Sequence, residues 1–306
     1  MKIVISGASG DLGRKITALL LQQVPASELV LLTRHPAKLA TEQALGAEVR
    51  KADFDDAPGL ERALRGGDVM LLISTLSIGK RVQQHTTAIH AAKAAGIKHV
   101  VYTSSCGIQP QTPSISGKEH YATEQVLQKS GLHFTILRNS WYADVIPQLL
   151  MPAAIAMGTI GFSTGNGMVA PVAKADCARA AASVLANYRT HTNAIYEITG
   201  PQLFTLADMI AHCSTVSRKP IVYQNLSHAD KQAIFDAMGI SRDYQEGMMN
   251  DTTNAWASDE MITYEMAIKQ GFFSICSRHI EMITGQPALS FAEVVQLHRA
   301  SWDQQE

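Results

Sequence analysis

At 306 residues the chain can bury a sizeable core, either as one large α/β unit or as a nucleotide domain with an appended lobe, and the second arrangement is expected. Hydrophobic residues at 46% and charged residues at 17% exclude a disordered chain. A net charge of −1 supplies no broad basic field for phosphate backbones, so no nucleic-acid partner is expected.

Met1 to Gly7 run directly into a short strand and a glycine loop, which leaves no space for a signal peptide. No apolar stretch reaches the ~20 residues of a membrane helix, so no membrane partner is expected. The four cysteines, Cys106, Cys177, Cys213 and Cys276, are far apart and form no CxxC pair. Neither a zinc site nor a disulfide framework is suggested, and a reducing cytoplasm fits best.

Ile3 to Ser6, Leu29 to Thr33, Val49 to Ala52, Val69 to Ser74, Val100 to Thr103 and Phe134 to Leu137 read as strands. Most are separated by helical segments of roughly ten to twenty residues, which is the pattern of βαβ units. The expected fold class is α/β, a doubly wound parallel sheet of Rossmann type. Leu12, Ile16, Leu19 and Leu20 mark one helix face, and Val82, Ile89 and Ala92 mark another.

From Trp141 the pattern loosens through Pro147, Pro152 and the loop Thr164 to Gly167, before Ala194 to Thr199 reads as a further strand. The expected organisation is a dinucleotide-binding domain over 1–150, rejoined by about 175–200, with 151–306 mainly a smaller α+β substrate lobe. Thr205 to Asp208, Ser227 to Asp230 and Ser290 to Glu293 each resemble a capping box that starts a helix. Met248, Met249 and Met261 read as apolar packing or a lid.

The chemistry begins with Gly7-Ala8-Ser9-Gly10-Asp11-Leu12-Gly13, which follows the first strand and opens the first helix. Its GxxGxxG spacing differs from GxGxxG, but the physics is shared. Glycines let backbone approach a pyrophosphate, and the helix N-terminus offers unpaired N–H donors. The second strand ends without the acid that would hold an adenosine ribose; Arg34 and Lys38 can instead face a 2′-phosphate, so the expected cofactor is NADP. Arg34 could also be a solvated loop cation. Asp53 and Phe54 follow the third strand, where an adenine ring lies; Asp53 could instead cap the next helix, but Asp55 and Asp56 are better placed as caps. Ser74 and Thr75 end the fourth strand near the ribose and phosphates.

The ordered set GASGDLG, TRHPAK, ADF, LLIST, AAKAAGIKHVVYTS, HYATEQVL and FTILRNSWY resembles the NmrA-like, atypical short-chain dehydrogenase/reductase proteins. Within them it is most similar to the bacterial quinone oxidoreductase and triphenylmethane reductase branch. The resemblance covers most of 1–240 and revives at Thr284 to Pro287, while 243–280 looks divergent or expanded. It implies NADP(H) held by Gly7, Gly10, Gly13, Arg34 and the Ser74-Thr75 loop, with Arg138, Asn139, Ser140, Trp141, Tyr142 and Lys174 nearer the nicotinamide. The active site it implies is a cleft between the Rossmann domain and the smaller lobe.

Many short-chain dehydrogenases use Tyr-x-x-x-Lys, a phenol donor whose pKa the Lys lowers, and related extended members place a Glu four residues later. Aligning that Glu with Glu124 puts His120 at the Lys position and Ser116 at the Tyr position, so the usual acid is absent. Ser104 and Ser105 end the fifth strand and shape the nicotinamide pocket. Loss of the donor suits acceptors needing little protein-supplied acid, such as quinones, cationic dyes or activated double bonds.

His120 and Tyr142 are the candidate catalytic residues; His120 holds the nicotinamide ribose or donates a proton, unless it is a packed helix histidine. Trp141 and Tyr142 offer flat surface to a planar acceptor, or serve as core at the domain junction. No HExxH and no Cys/His spacing indicates a metal. The expectation is a monomeric or homodimeric NADPH-dependent reductase of a small aromatic or quinone-like substrate; the alternatives are a non-catalytic NADP(H) redox sensor and, less favoured by the missing Tyr, an isomerase or epimerase.

Overall fold

The computed structural model describes residues 1–245 and 257–302; Met248 and Met249 lie outside them. In chain order the first half runs β1 (Ile3–Ile5), α1 (Asp11–Leu20), β2 (Leu29–Thr33), α2 (Ala40–Ala44), β3 (Glu48–Lys51), α3 (Ala57–Leu64), β4 (Val69–Leu72), α4 (Arg81–Ala94), β5 (His99–Ser105), α5 (Ile115–Lys129) and β6 (His133–Asn139). The second half runs α6 (Met151–Met157), β7 (Thr159–Phe162), β8 (Met168–Val169), α7 (Lys174–Ala186), β9 (Ala194–Ile198), β10 (Phe204–Thr205), α8 (Leu206–Ser217), β11 (Val222–Asn225), α9 (His228–Ala237), α10 (Ser258–Lys269), α11 (His279–Thr284) and α12 (Phe291–His298).

Seven strands form one parallel sheet in the order β3-β2-β1-β4-β5-β6-β9. Helices cover both faces, which is why β1, β2 and β4 are buried at every position and, apart from Thr33 at the end of β2, apolar without alternation. Ile3, Ile5, Leu31 and Leu71 pack with Ile16 and Leu20 of α1 and Ala181 and Leu185 of α7. Val4, Val30, Met70 and Leu72 face the other way, onto Leu60, Leu64 and Ile89. Each such side chain contributes about 1.5–3 kcal/mol on full burial.

The strand order reverses between β1 and β4, so a crevice opens at the carboxyl edge between the loops that follow them. After β6 the chain leaves the sheet, then returns through α7, which packs on α1, and through β9. The remaining elements include a parallel pair, β7 with β11, and an antiparallel pair, β8 with β10. They share a second apolar cluster around Met151, Phe162, Met209, Ile268 and Phe291.

Thr205 and Ser290 form reciprocal capping boxes with Asp208 and Glu293, and Ser227 accepts a hydrogen bond from the Asp230 amide. Three strand ends differ from the sequence reading for a visible reason. β5 and β6 extend into polar residues, with Ser105 opposite Asn139, because the ladder continues where the apolar run stops. β4 ends at Leu72 because the Ile73 and Ser74 amides turn to the Ser6 and Thr103 hydroxyls.

Candidate active site

The loop after β1 needs glycine for two different reasons. Gly7 has φ +62°, a left-handed conformation, and accepts the Gly10 amide at 3.0 Å. Gly13 lies in the first turn of α1, where a Cβ would come within 2.4 Å of the Gly7 oxygen and 2.8 Å of the Ala8 Cα. The helix can pack this close to the loop only without a side chain there. The start of α1, with Leu12 in its first turn, therefore presents N–H groups and a positive dipole end to the crevice. The Asp11 carboxylate is turned to Lys15 at 2.5 Å and Lys174 at 3.1 Å. Burial raises its pKa, but these two cations outweigh that and hold it low.

Side chains tie the neighbouring loops to this one. The Ser9 hydroxyl meets the Thr33 hydroxyl at 2.8 Å, and Thr33 also accepts the His35 amide at 3.1 Å. Arg34 and Lys38 extend from this brace, exposed, with side chains that make no hydrogen bond or ion pair among the described residues. Asp53 accepts the Asp55 amide, while Asp56 caps α3 through the Gly59 amide at 3.0 Å. Phe54 packs against the cluster beneath β4.

After β4 the Thr75 amide donates to Nε2 of His85 at 3.0 Å, and the Arg81 Nε donates to the Thr75 carbonyl at 2.7 Å. Burial and the nearby Arg81 push His85 down to about 3, so it remains a neutral acceptor. His85, Arg81 and its partner Glu119 fix this loop. Nothing in the spacing of the sequence singles them out, because they act on backbone atoms of an irregular loop that carries no pattern of its own.

His120 is buried, and its Nδ1 lies 2.6 Å from the Tyr102 hydroxyl. Burial, with Arg81 and His85, holds its pKa well below the usual value. Ser104 donates to Glu124 at 2.7 Å, and Arg138 bridges Glu124 and Glu197 at 2.7 and 3.0 Å. Cys106, raised by burial and then by Glu197, is a protonated thiol on that network, not a nucleophile.

At the end of β6 the Asn139 amide nitrogen lies 3.4 Å from the Tyr142 hydroxyl, and Lys174 Nζ sits 5.4 Å from the centre of the Tyr142 ring. Burial raises the Tyr142 phenol above its ordinary range. Three buried atoms along the carboxyl edge, Thr75 Oγ1, Asn139 Oδ1 and Ser140 Oγ, have no hydrogen-bond partner among the described residues. Each such atom costs about 1–3 kcal/mol if nothing satisfies it. Together with the glycine cradle, they fit a polar dinucleotide.

The residue that follows Ser140 joins an aromatic group. Trp141 meets Phe162 edge-on at 6.2 Å and Tyr264 at 6.5 Å. Helix α10 caps the start of α5: Glu260 accepts the Ser116 amide at 2.9 Å and Thr263 accepts the Ile115 amide at 3.3 Å. The position aligned with the superfamily's phenol is thus covered by α10. Among the described residues no helix is long and apolar enough to cross a membrane, and no cluster of His, Cys, Asp or Glu could hold a metal ion.

A family model described as NAD(P)H-binding matches residues 7–187. The chain belongs to this NAD(P)H-binding family. Quinone oxidoreductase 2 of Escherichia coli is 35% identical over 96% of this chain and 97% of its own length. An NAD(P)H azoreductase of Xenophilus azovorans is 26% identical over 98% and 99%. Among solved structures, the E. coli NADPH-dependent quinone oxidoreductase complexed with NADPH superposes with a TM-score of 0.85, covering 96% and 99%. The Citrobacter triphenylmethane reductase complexed with NADP(H) superposes at 0.83, with 26% identity and 97% and 100% coverage. These relatives bear out the resemblance drawn from the sequence motifs of this NAD(P)H-binding chain.

Proposed function

We propose that this chain is an NADPH-dependent reductase that delivers hydride to a small aromatic acceptor, a quinone or a cationic or azo dye. The observation that carries the reading is a glycine cradle with buried polar atoms that have no partner among the described residues at the same sheet edge, followed at once by an aromatic group around Trp141, and no Tyr–Lys pair. Its relatives act on acceptors of this kind by name.

Gly7, Ser9, Gly10, Asp11, Leu12 and Gly13 would receive the pyrophosphate, and Arg34 with Lys38 the 2′-phosphate. Asp53 and Phe54 would border the adenine. Ser74, Thr75, Asn139, Ser140 and Lys174 would hold the ribose and nicotinamide end, with Ser104 and His120 bracing it from beneath. The bound nicotinamide supplies the hydride. Trp141 presents a flat ring to the acceptor, and Tyr142 backs the pocket with its phenol held to Asn139. The smaller lobe closes the cleft, and the four free cysteines suit a reducing cytoplasm.

NADPH oxidation followed with a naphthoquinone, an azo dye and a triphenylmethane dye tests this. Turnover with at least one is expected. Tight NADPH binding with no turnover would instead support a cofactor-sensing role.

A further inference from the structure

Tyr264 stands on α10 with its ring fixed and its hydroxyl unclaimed. The ring lies edge-on to Trp141, with planes at 69°, and its other side packs on Phe273 at 4.6 Å. The residue is half-buried, and its hydroxyl has no hydrogen-bond partner among the described residues. Two other phenols nearby are committed, Tyr102 to His120 and Tyr142 to Asn139. A buried or half-buried tyrosine hydroxyl ordinarily finds a partner.

The helix that carries it is held on two faces. Glu260, one turn earlier on the same face, is bonded to the Ser116 amide. On another face, Glu265 accepts the Ser163 amide and hydroxyl at 2.5 and 2.6 Å and pairs with Lys231 at 3.2 Å. The phenol is therefore displayed from a rigid element, one turn along α10 from the Glu260 that bonds the Ser116 amide. Burial, with Cys106, Glu260 and Tyr142 nearby, raises its pKa well above the ordinary value. It stays protonated.

Resting on the reductase reading, we propose that Tyr264 is an acceptor-binding residue whose hydroxyl donates a hydrogen bond to a carbonyl oxygen of a quinone lying beside Trp141. The donor lost from α5 is replaced from the smaller lobe, for binding and polarisation but not for proton transfer. Reduction of a quinone adds a hydride with its two electrons and one proton, giving the hydroquinone and NADP⁺. The proton comes from water. Reduction of a triphenylmethane cation adds the hydride to the central carbon and needs neither proton nor oxygen donor.

The two acceptors separate the proposal from its alternatives. Tyr264→Phe keeps the ring contacts and removes one oxygen. The variant is expected to lower kcat/KM for 1,4-naphthoquinone about tenfold, with malachite green within about twofold of the unmutated protein. Equilibrium binding of 1,4-naphthoquinone to the NADP⁺-loaded variant should weaken, with NADP⁺ affinity unchanged. No loss on the quinone, or equal loss on both acceptors, would overturn the proposal. If the unmutated protein turned over neither acceptor, the reductase reading would fail, and the binding comparison would still decide the role of Tyr264.

Discussion

The Tyr102 hydroxyl, from the middle of β5, and His120 Nδ1, from α5, lie 2.6 Å apart, both residues buried. An imidazole held this far below its ordinary pKa carries no extra proton at neutral pH, so it cannot serve as a charged acid there. His120→Gln should reduce turnover less than about tenfold and leave the pH–rate profile parallel to that of the unmutated protein. A general acid would instead show a pH-linked loss of about 10²–10⁴-fold on acceptors that need protonation.

Arg34 and Lys38 are exposed cations on the loop that follows the Ser9–Thr33 hydroxyl contact, and their side chains have no ion-pair partner among the described residues. NADPH should bind more tightly than NADH, and Arg34→Ala should remove most of that preference. One charge-assisted contact of about 1.5–3 kcal/mol corresponds to about one to two decades in affinity. Equal affinities for the two cofactors in calorimetry would show that the 2′-phosphate lies elsewhere.

Gly10 and Gly13 should respond differently to side chains. A Cβ at Gly13 meets backbone on two sides, so Gly13→Ala should lower the melting temperature as well as cofactor affinity. At Gly10 a Cβ would meet only the Gly7 oxygen at 3.3 Å, so Gly10→Val should fold and fail to bind NADPH. A Gly10→Val protein that binds normally would reduce the loop to a structural turn.

Two further buried histidines set the response to acid. Burial first, then neighbouring charge, lowers His85 to about 3 and His99 to about 4, against 6.5 for a free imidazole. Their folded pKa values lie below the unfolded one, so stability is fully present above 6.5 and falls as the pH drops toward 4. At pH 5 each should cost about 2 kcal/mol. Glu119 and Glu260, raised mainly by burial, oppose this loss in part. Denaturant midpoints at pH 7 and 5 measure the balance, and a midpoint that does not fall on acidification would contradict it.

The sheet was legible because its strands are buried on both faces and separated by helices, a pattern that needs no tertiary information. The cofactor loop was legible for the same reason: Gly7, Gly10 and Gly13 answer backbone demands that leave their mark in residue type. His85 and Tyr264 were not legible. His85 acts on the Thr75 amide across the β4–α4 connection, and Tyr264 reaches Trp141 only when α10 folds over α5. The segment that contains Tyr264 carries no motif, and no periodicity marks which of its side chains faces the crevice.

The most direct test of the hydride-transfer claim is isotopic. With NADPH deuterated at the transferable C4 position and malachite green as acceptor, the leuco product is predicted to carry one deuterium at its central carbon, formed in step with NADP⁺. A deuterium-free product, or NADPH bound to the protein and never consumed, would contradict the account.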